Sequence, residues 1–279
     1  MLKKLIKSEW KDTWAVGTIC SIIVVGLSII GMIIFSMDIW KGRSRMNDAM
    51  EGFTATMISF YFMMLVFGII GVVLVVRYFF FYRYYKNLFT DHGYLMNTLP
   101  VKSTDLLLSK LIVGVIWQFL IWIVVVVSII CMILALAANL GDISISEFQQ
   151  GIREFFNVLR WVFRDEDFME VLPYLICTIL AVILSPIAEL LLMYAAVGIG
   201  QLSKKRKFLV AVFILIGFNM ARSLIANIIS VPLILISEDL PSQYTMNIFA
   251  IIWLVIVIGM IIGLYFANKY FLEKKLNLE

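Results

Sequence analysis

Three stretches of this chain, residues 13–37, 52–76 and 111–141, contain no acidic or basic side chain. About 20 apolar residues in a helix cross the hydrocarbon core of a bilayer, so each stretch is long enough to span one. Three more stretches qualify. Residues 171–203 hold a single charge, Glu189, residues 208–237 hold a single charge, Arg222, and residues 240–268 hold none. Lipid cannot satisfy an open backbone, which leaves only helices and closed barrels as spanning structures. Runs of this length suit helices, since barrel strands need only about ten residues. The sequence therefore predicts an all-α integral membrane protein: a single six-span domain over residues 1–279. The charged fraction of 15% agrees, because soluble domains carry roughly 25%.

The N-terminal "MLKKLIKSEWKDTW" is charged over its first twelve residues, and the apolar run behind it is too long for a signal-peptide core. Span one is expected to stay in the membrane. Lysine and arginine then set the orientation. They gather in alternate segments: Lys3 to Lys11, Arg77 to Lys110, Lys204 to Lys207, and Lys269 to Lys275. The opposite segments hold only Lys41, Arg43, Arg45, Arg153, Arg160 and Arg164. Both termini are expected in the cytoplasm. The net charge of +4 reports this topology and not nucleic-acid binding. Cys20, Cys131 and Cys177 all fall in spans and read as small apolar packing residues, not a disulfide framework.

Residues 1–14 read as an interfacial helix, with Leu2, Leu5, Ile6, Trp10 and Trp14 on one face and lysines on the other. It is expected to lie on the inner leaflet and then turn into span one; plain positive-inside anchoring is the simpler alternative. Residues 139–172 form the longest outer segment. There Phe148, Ile152, Phe155, Phe156, Leu159 and Phe163 trace a helical face after a Ser146–Gln149 capping box. An amphipathic helix over about residues 146–163 follows, resting at the interface or acting as a lid.

Catalytic chemistry is not visible. No G-x-x-x-x-G-K-[ST] phosphate loop and no H-E-x-x-H occurs, and the one histidine, His92, cannot build a zinc site or serve an intramembrane serine. The chain is expected to bind no cofactor, nucleotide or metal and not to be an enzyme. Glu189 and Arg222 are the ionisable residues deep in spans. Both lie near the middle of antiparallel spans four and five, and an unpaired charge there costs several kcal/mol. They are expected to pair, as a structural clamp or as part of a transport path; pairing of Arg222 with another subunit is the alternative. Pro186, three residues before Glu189, removes a backbone donor and is expected to kink span four.

The segment between spans two and three, residues 82–110, holds "DHGYLMNTLPVKSTDLLLSK". A short helix, a break at Pro100 and a restart capped by Ser103 or Thr104, with Asp105 at its positive end, would form a compact cytoplasmic knob. Tyr94, Leu95, Met96 and Leu99 are apolar residues suited to a partner protein. An ordinary basic connector is the plain alternative.

"D-x-G-Y-L-M-x-T-L-P-V-K" followed by "L-L-L-S-K", with an amphipathic N-terminal helix and six spans, resembles the permease subunits of ABC type 2 transporters. The resemblance implies a multi-pass protein of a bacterial plasma membrane, working as an exporter in a homo- or heterodimer of permease chains. A separate cytoplasmic ABC ATPase subunit would bind and hydrolyse ATP. Residues 82–110 would contain the coupling helix, with Asp91, Gly93, Tyr94, Leu95, Thr98, Leu99 and Pro100 forming or flanking the docking element and Lys110 opening span three. Residues 1–14 would be the connecting helix. Members of that family often carry a re-entrant segment between spans five and six; here only a break at Pro232 would make room for one. A reading from another class is a non-transporting scaffold or sensor that recruits a cytoplasmic partner through the same loop.

Overall fold

The structure is a computed structural model and describes residues 2–35, 48–90, 101–140, 150, 151, 153, 154, 157, 168–203, 205–236 and 242–274. Among the described residues there are helices and no strands. The long helices are α1 (Leu2–Phe35), α2 (Asp48–Phe89), α3 (Ser103–Leu140), α4 (Phe168–Gly200), α5 (Lys207–Ile236) and α6 (Ser242–Lys274). Each contains a segment long and apolar enough to cross a membrane.

The described chain divides into two compact units. One is built from the first ten residues, residues 79–115 and residues 162–279. Here α4 is the central element and packs most extensively against α6, then α5. Its residues Leu190 to Val197 are all buried, on every side of the helix. Only a helix surrounded by other helices can hide its whole circumference. Asn268 of α6 crosses to α4 and donates to the Leu191 carbonyl at 2.9 Å. At the end of α4, a Cβ on Gly200 would lie 2.9 Å from the Ala211 backbone, so only glycine lets α5 return this closely. Gln201 and Leu202 turn the chain after α4, and Arg206 stands at φ 53° just before α5. The Arg206 carbonyl accepts from the Val210 N–H, so an exposed arginine in the left-handed region begins that helix.

The second unit combines residues 11–78 and 116–161. On α1, Thr13, Gly17, Cys20, Val24, Ser28 and Gly31 recur at helical spacing and are buried. Small residues let helices approach closely where lipid gives no hydrophobic drive to associate. Trp117 of α3 fills the space over Gly17, where an added Cβ would fall 2.3 Å from the ring, and its Nε1 donates to Thr13 Oγ1 at 3.0 Å. Leu65 and Met132 are buried together, with Leu27 and Tyr61 packed on them.

Four local features bear on the expectations from sequence. First, residues 2–14 run into span one without the expected turn, since α1 is unbroken. The buried face there carries Glu9 and Thr13, while Trp14 is exposed. Second, α3 begins at Ser103, and the Lys102 carbonyl accepts from Leu106 N–H. Lys102 is thus the cap position, and Asp105 falls in the first turn. Third, α4 stays helical through Pro186. The carbonyl that proline leaves without its N–H partner, that of Val182, accepts a hydrogen bond from Ser185 Oγ at 3.0 Å. Fourth, α5 continues through Pro232 to Ile236, so no break occurs there to supply a re-entrant segment. Of the expected outer helix, residues 150, 151, 153, 154 and 157 are helical; Phe148, Ile152, Phe155, Phe156, Leu159 and Phe163 lie outside the described residues.

Candidate functional site

The end of α2 and the start of α3 flank residues 90–102, and a buried polar joint holds those two ends together. Its centre is Glu9, near the start of α1. Arg83 donates to Glu9 Oε2 through Nε at 3.2 Å and Nη2 at 2.9 Å. Lys110 donates to Glu9 Oε1 through Nζ at 2.5 Å. Side-chain exposures are 16% for Arg83, 7% for Glu9 and 4% for Lys110, so this cluster is largely shielded from solvent. Breaking a buried pair by removing one partner typically costs about 3–5 kcal/mol, because the other charge is left uncompensated. Three separate parts of the chain are therefore tied at one point.

Aromatic packing extends the joint into the central helix. Tyr84 of α2 stacks on Tyr194 of α4, with centroids 3.8 Å apart and planes 10° from parallel. Tyr194 hydroxyl donates to the Lys110 carbonyl at 3.4 Å. Phe208, in the first turn of α5, meets Phe81, Tyr82 and Tyr85 of α2 at 5.6, 5.7 and 5.2 Å. Residues Tyr84 and Leu88, which the sequence places in the connector, are buried inside this packing. Within the segment 82–110, α2 runs to Phe89 and α3 starts at Ser103. Lys110 lies two turns inside α3.

These contacts also fix which helix ends lie together in this unit. The start of α1, the end of α2, the start of α3 and the end of α4 meet through Glu9, Arg83, Lys110 and Tyr194. The start of α5 joins through Phe208. The end of α6 joins through Phe271, which lies against Gly198. The first and last helices thus present their outer termini at the same end.

Asp91, Gly93, Tyr94, Leu95, Thr98, Leu99 and Pro100 lie outside the described residues, as does His92. Glu189 and Arg222 are brought together: Arg222 Nη1 is 3.6 Å from Glu189 Oε1. That distance is an ion pair but too long for a hydrogen bond. Sequence alone does not single out the joint at Glu9, because Glu9 lies outside the uncharged runs where a lone charge stands out. Its signal was present: Glu9 is an acid among lysines, and Arg83 is an isolated cation in the aromatic run "YFFFYRYY". Among the described residues, no three histidine, cysteine or acidic residues gather in a way that could hold a metal ion.

The outer faces decide the environment. Ile22, Phe67, Phe213, Ile228 and Val255 are each more than 60% exposed, and many other large apolar side chains on the same helices are exposed as well. Water would tolerate apolar patches of only a few hundred Å², whereas hydrocarbon solvates them. With six helices of spanning length, the chain is a helical membrane protein that resides in a lipid bilayer. Comparison with protein-family models, with curated proteins and with solved structures gives no match.

Proposed function

We propose that the chain is the membrane-spanning permease subunit of an ATP-driven exporter of the ABC type 2 kind. It would work as a dimer of permease chains with a separate cytoplasmic ATPase. The observation that carries this reading is the Glu9–Arg83–Lys110 joint. An ATPase that pushes on residues 90–102 moves a bilayer-spanning path only if the helices on both sides of that segment are mechanically fixed to the rest. The joint fixes both, and Tyr84, Tyr194 and Phe208 pass the displacement to α4 and α5. A packed, hydrogen-bonded interior transmits small shifts because it is densely packed and hard to deform. The motif residues 91–100 between the two helices supply the docking surface in this reading.

Capture of the tagged chain from its native membrane tests the assignment. The reading expects stoichiometric recovery of a subunit with a G-x-x-x-x-G-K-[ST] loop and ATP hydrolysis in the isolated complex. Recovery without such a subunit, and with no hydrolysis, removes it in favour of a recruiting scaffold.

A further inference from the structure

Beyond the coupling joint, α4, α5 and α6 enclose an open cavity of about 200 Å³. Leu192, Phe218, Ile225, Trp253 and Met260 make its wall apolar, and Arg222 borders it almost wholly with apolar atoms of its side chain. The arginine is the unusual member. Among the described residues its only polar partner is Glu189 at 3.6 Å, and its side chain is 36% exposed. A guanidinium has five N–H donors, and in hydrocarbon each one left without an acceptor is costly. The geometry points to a binding site here for a single-chain amphiphile with a carboxylate head, the head on Arg222 and part of the apolar body in the cavity.

Three features select that class. The charge of Arg222 calls for an anion, and its planar fork suits a carboxylate held by two parallel hydrogen bonds. The volume is below the roughly 300–1,000 Å³ of sites that enclose a whole drug-sized ligand, so it takes one alkyl segment or one ring. The depth excludes an ordinary bilayer phospholipid. Arg222 lies 15 residues from one end of α5 (222 − 207) and 14 from the other (236 − 222), about 21 Å from either end at 1.5 Å per residue. A phospholipid phosphate stays at the membrane surface, about 15 Å from the midplane. A free single-chain carboxylate can leave the surface and descend between helices. Glu189 is then a competitor for the same guanidinium, and its loose contact is one an incoming carboxylate can displace. The site stands apart from the exporter reading, since binding needs neither ATP nor a partner subunit.

The test uses the purified full-length chain in nanodiscs of zwitterionic lipid, labelled with a diazirine-bearing dodecanoate and mapped by peptide mass spectrometry. Label is expected on α5 and α6 peptides lining the cavity, with competition by dodecanoate and none by dodecyltrimethylammonium or phosphatidylglycerol. Arg222→Gln should weaken binding about ten- to hundredfold, the loss of one charged hydrogen-bonded contact. Arg222→Lys should keep much of it, and Glu189→Gln should tighten it by removing the competitor. If Arg222→Gln does not fold, Ala226, which also lines the cavity, provides the second variant: Ala226→Phe fills the space while keeping the arginine and should abolish labelling. Equal competition by the cation, competition by phosphatidylglycerol, or labelling unchanged in Ala226→Phe overturns the proposal. So does cross-linking of Arg222→Cys between two copies with no dodecanoate binding, which would assign the donors to a second chain.

Discussion

Lys110 and Glu9, 101 residues apart in sequence, meet at 2.5 Å in a site nearly closed to solvent. The contact ties the first turns of α1 to the first turns of α3, and Arg83 adds the last turns of α2. A buried cluster of this kind makes a direct prediction for stability.

Glu9→Gln should destabilise the chain by about 3–5 kcal/mol, because Arg83 and Lys110 lose their carboxylate. Thermal unfolding in detergent, followed by loss of monodisperse protein, reads this out. Replacing all three residues with apolar ones of similar volume, Glu9→Leu with Arg83→Met and Lys110→Met, should restore most of that loss. If Glu9→Gln unfolds at the wild-type temperature, the joint does not hold the helices together.

Glu189 and Arg222 should be energetically coupled. Contacting charges typically show interaction energies of about 0.5–3 kcal/mol in a double-mutant cycle. The 3.6 Å separation and the partly exposed arginine place this pair at the lower end. Strict additivity of Glu189→Gln and Arg222→Gln in folded yield and unfolding temperature would show that the two side chains do not interact.

Gly17 should tolerate no side chain while Trp117 stands over it. Gly17→Ala places a Cβ 2.3 Å from the indole and pushes the ring off its hydrogen bond to Thr13. Overpacking of this kind costs about 1–3 kcal/mol. Trp117→Leu in the same chain should recover stability by vacating the space. A Gly17→Ala protein as stable as wild type, with the Trp117 ring unmoved by near-ultraviolet dichroism, contradicts the packing.

Much of this architecture was legible in the charge pattern. Lipid forces helices, so the six uncharged or singly charged runs located the six long helices without any knowledge of packing. The Glu189–Arg222 proximity followed from depth alone, because two charges at similar height on adjacent antiparallel spans have few other options. What was not legible depends on side-chain orientation. The face of residues 2–14 was assigned by hydrophobicity to Leu2, Leu5, Ile6, Trp10 and Trp14. The opposite face, which hydrophobicity does not mark, is the packed one: it carries Glu9 and Thr13, because ion pairing and a hydrogen bond from Trp117 hold it. The prolines likewise depend on their surroundings. Pro232 does not break α5, and a serine beside Pro186 takes up the carbonyl it strands.

Topology is open to a labelling test on a background without Cys20, Cys131 and Cys177. Cysteine introduced at Ser44 or Asn157 should react with an impermeant maleimide on intact cells, and cysteine at Ser203 only after permeabilisation. Reaction at Ser203 on intact cells would invert the orientation and place the 90–102 segment away from any cytoplasmic partner.

Leu95 offers the decisive experiment. In a complex of this chain reconstituted with the ATPase subunit that the exporter reading proposes, Leu95→Asp would put a charge into the apolar sequence that docking buries in that reading. Full burial of one such side chain is worth roughly 1.5–3 kcal/mol, and a buried unpaired carboxylate costs more. The exporter account predicts loss of ATPase association and of substrate-stimulated hydrolysis, with the protein still inserted and folded and with Lys102→Ala close to wild type. Intact association and hydrolysis in Leu95→Asp would contradict it, and residues 90–102 would no longer count as the coupling element.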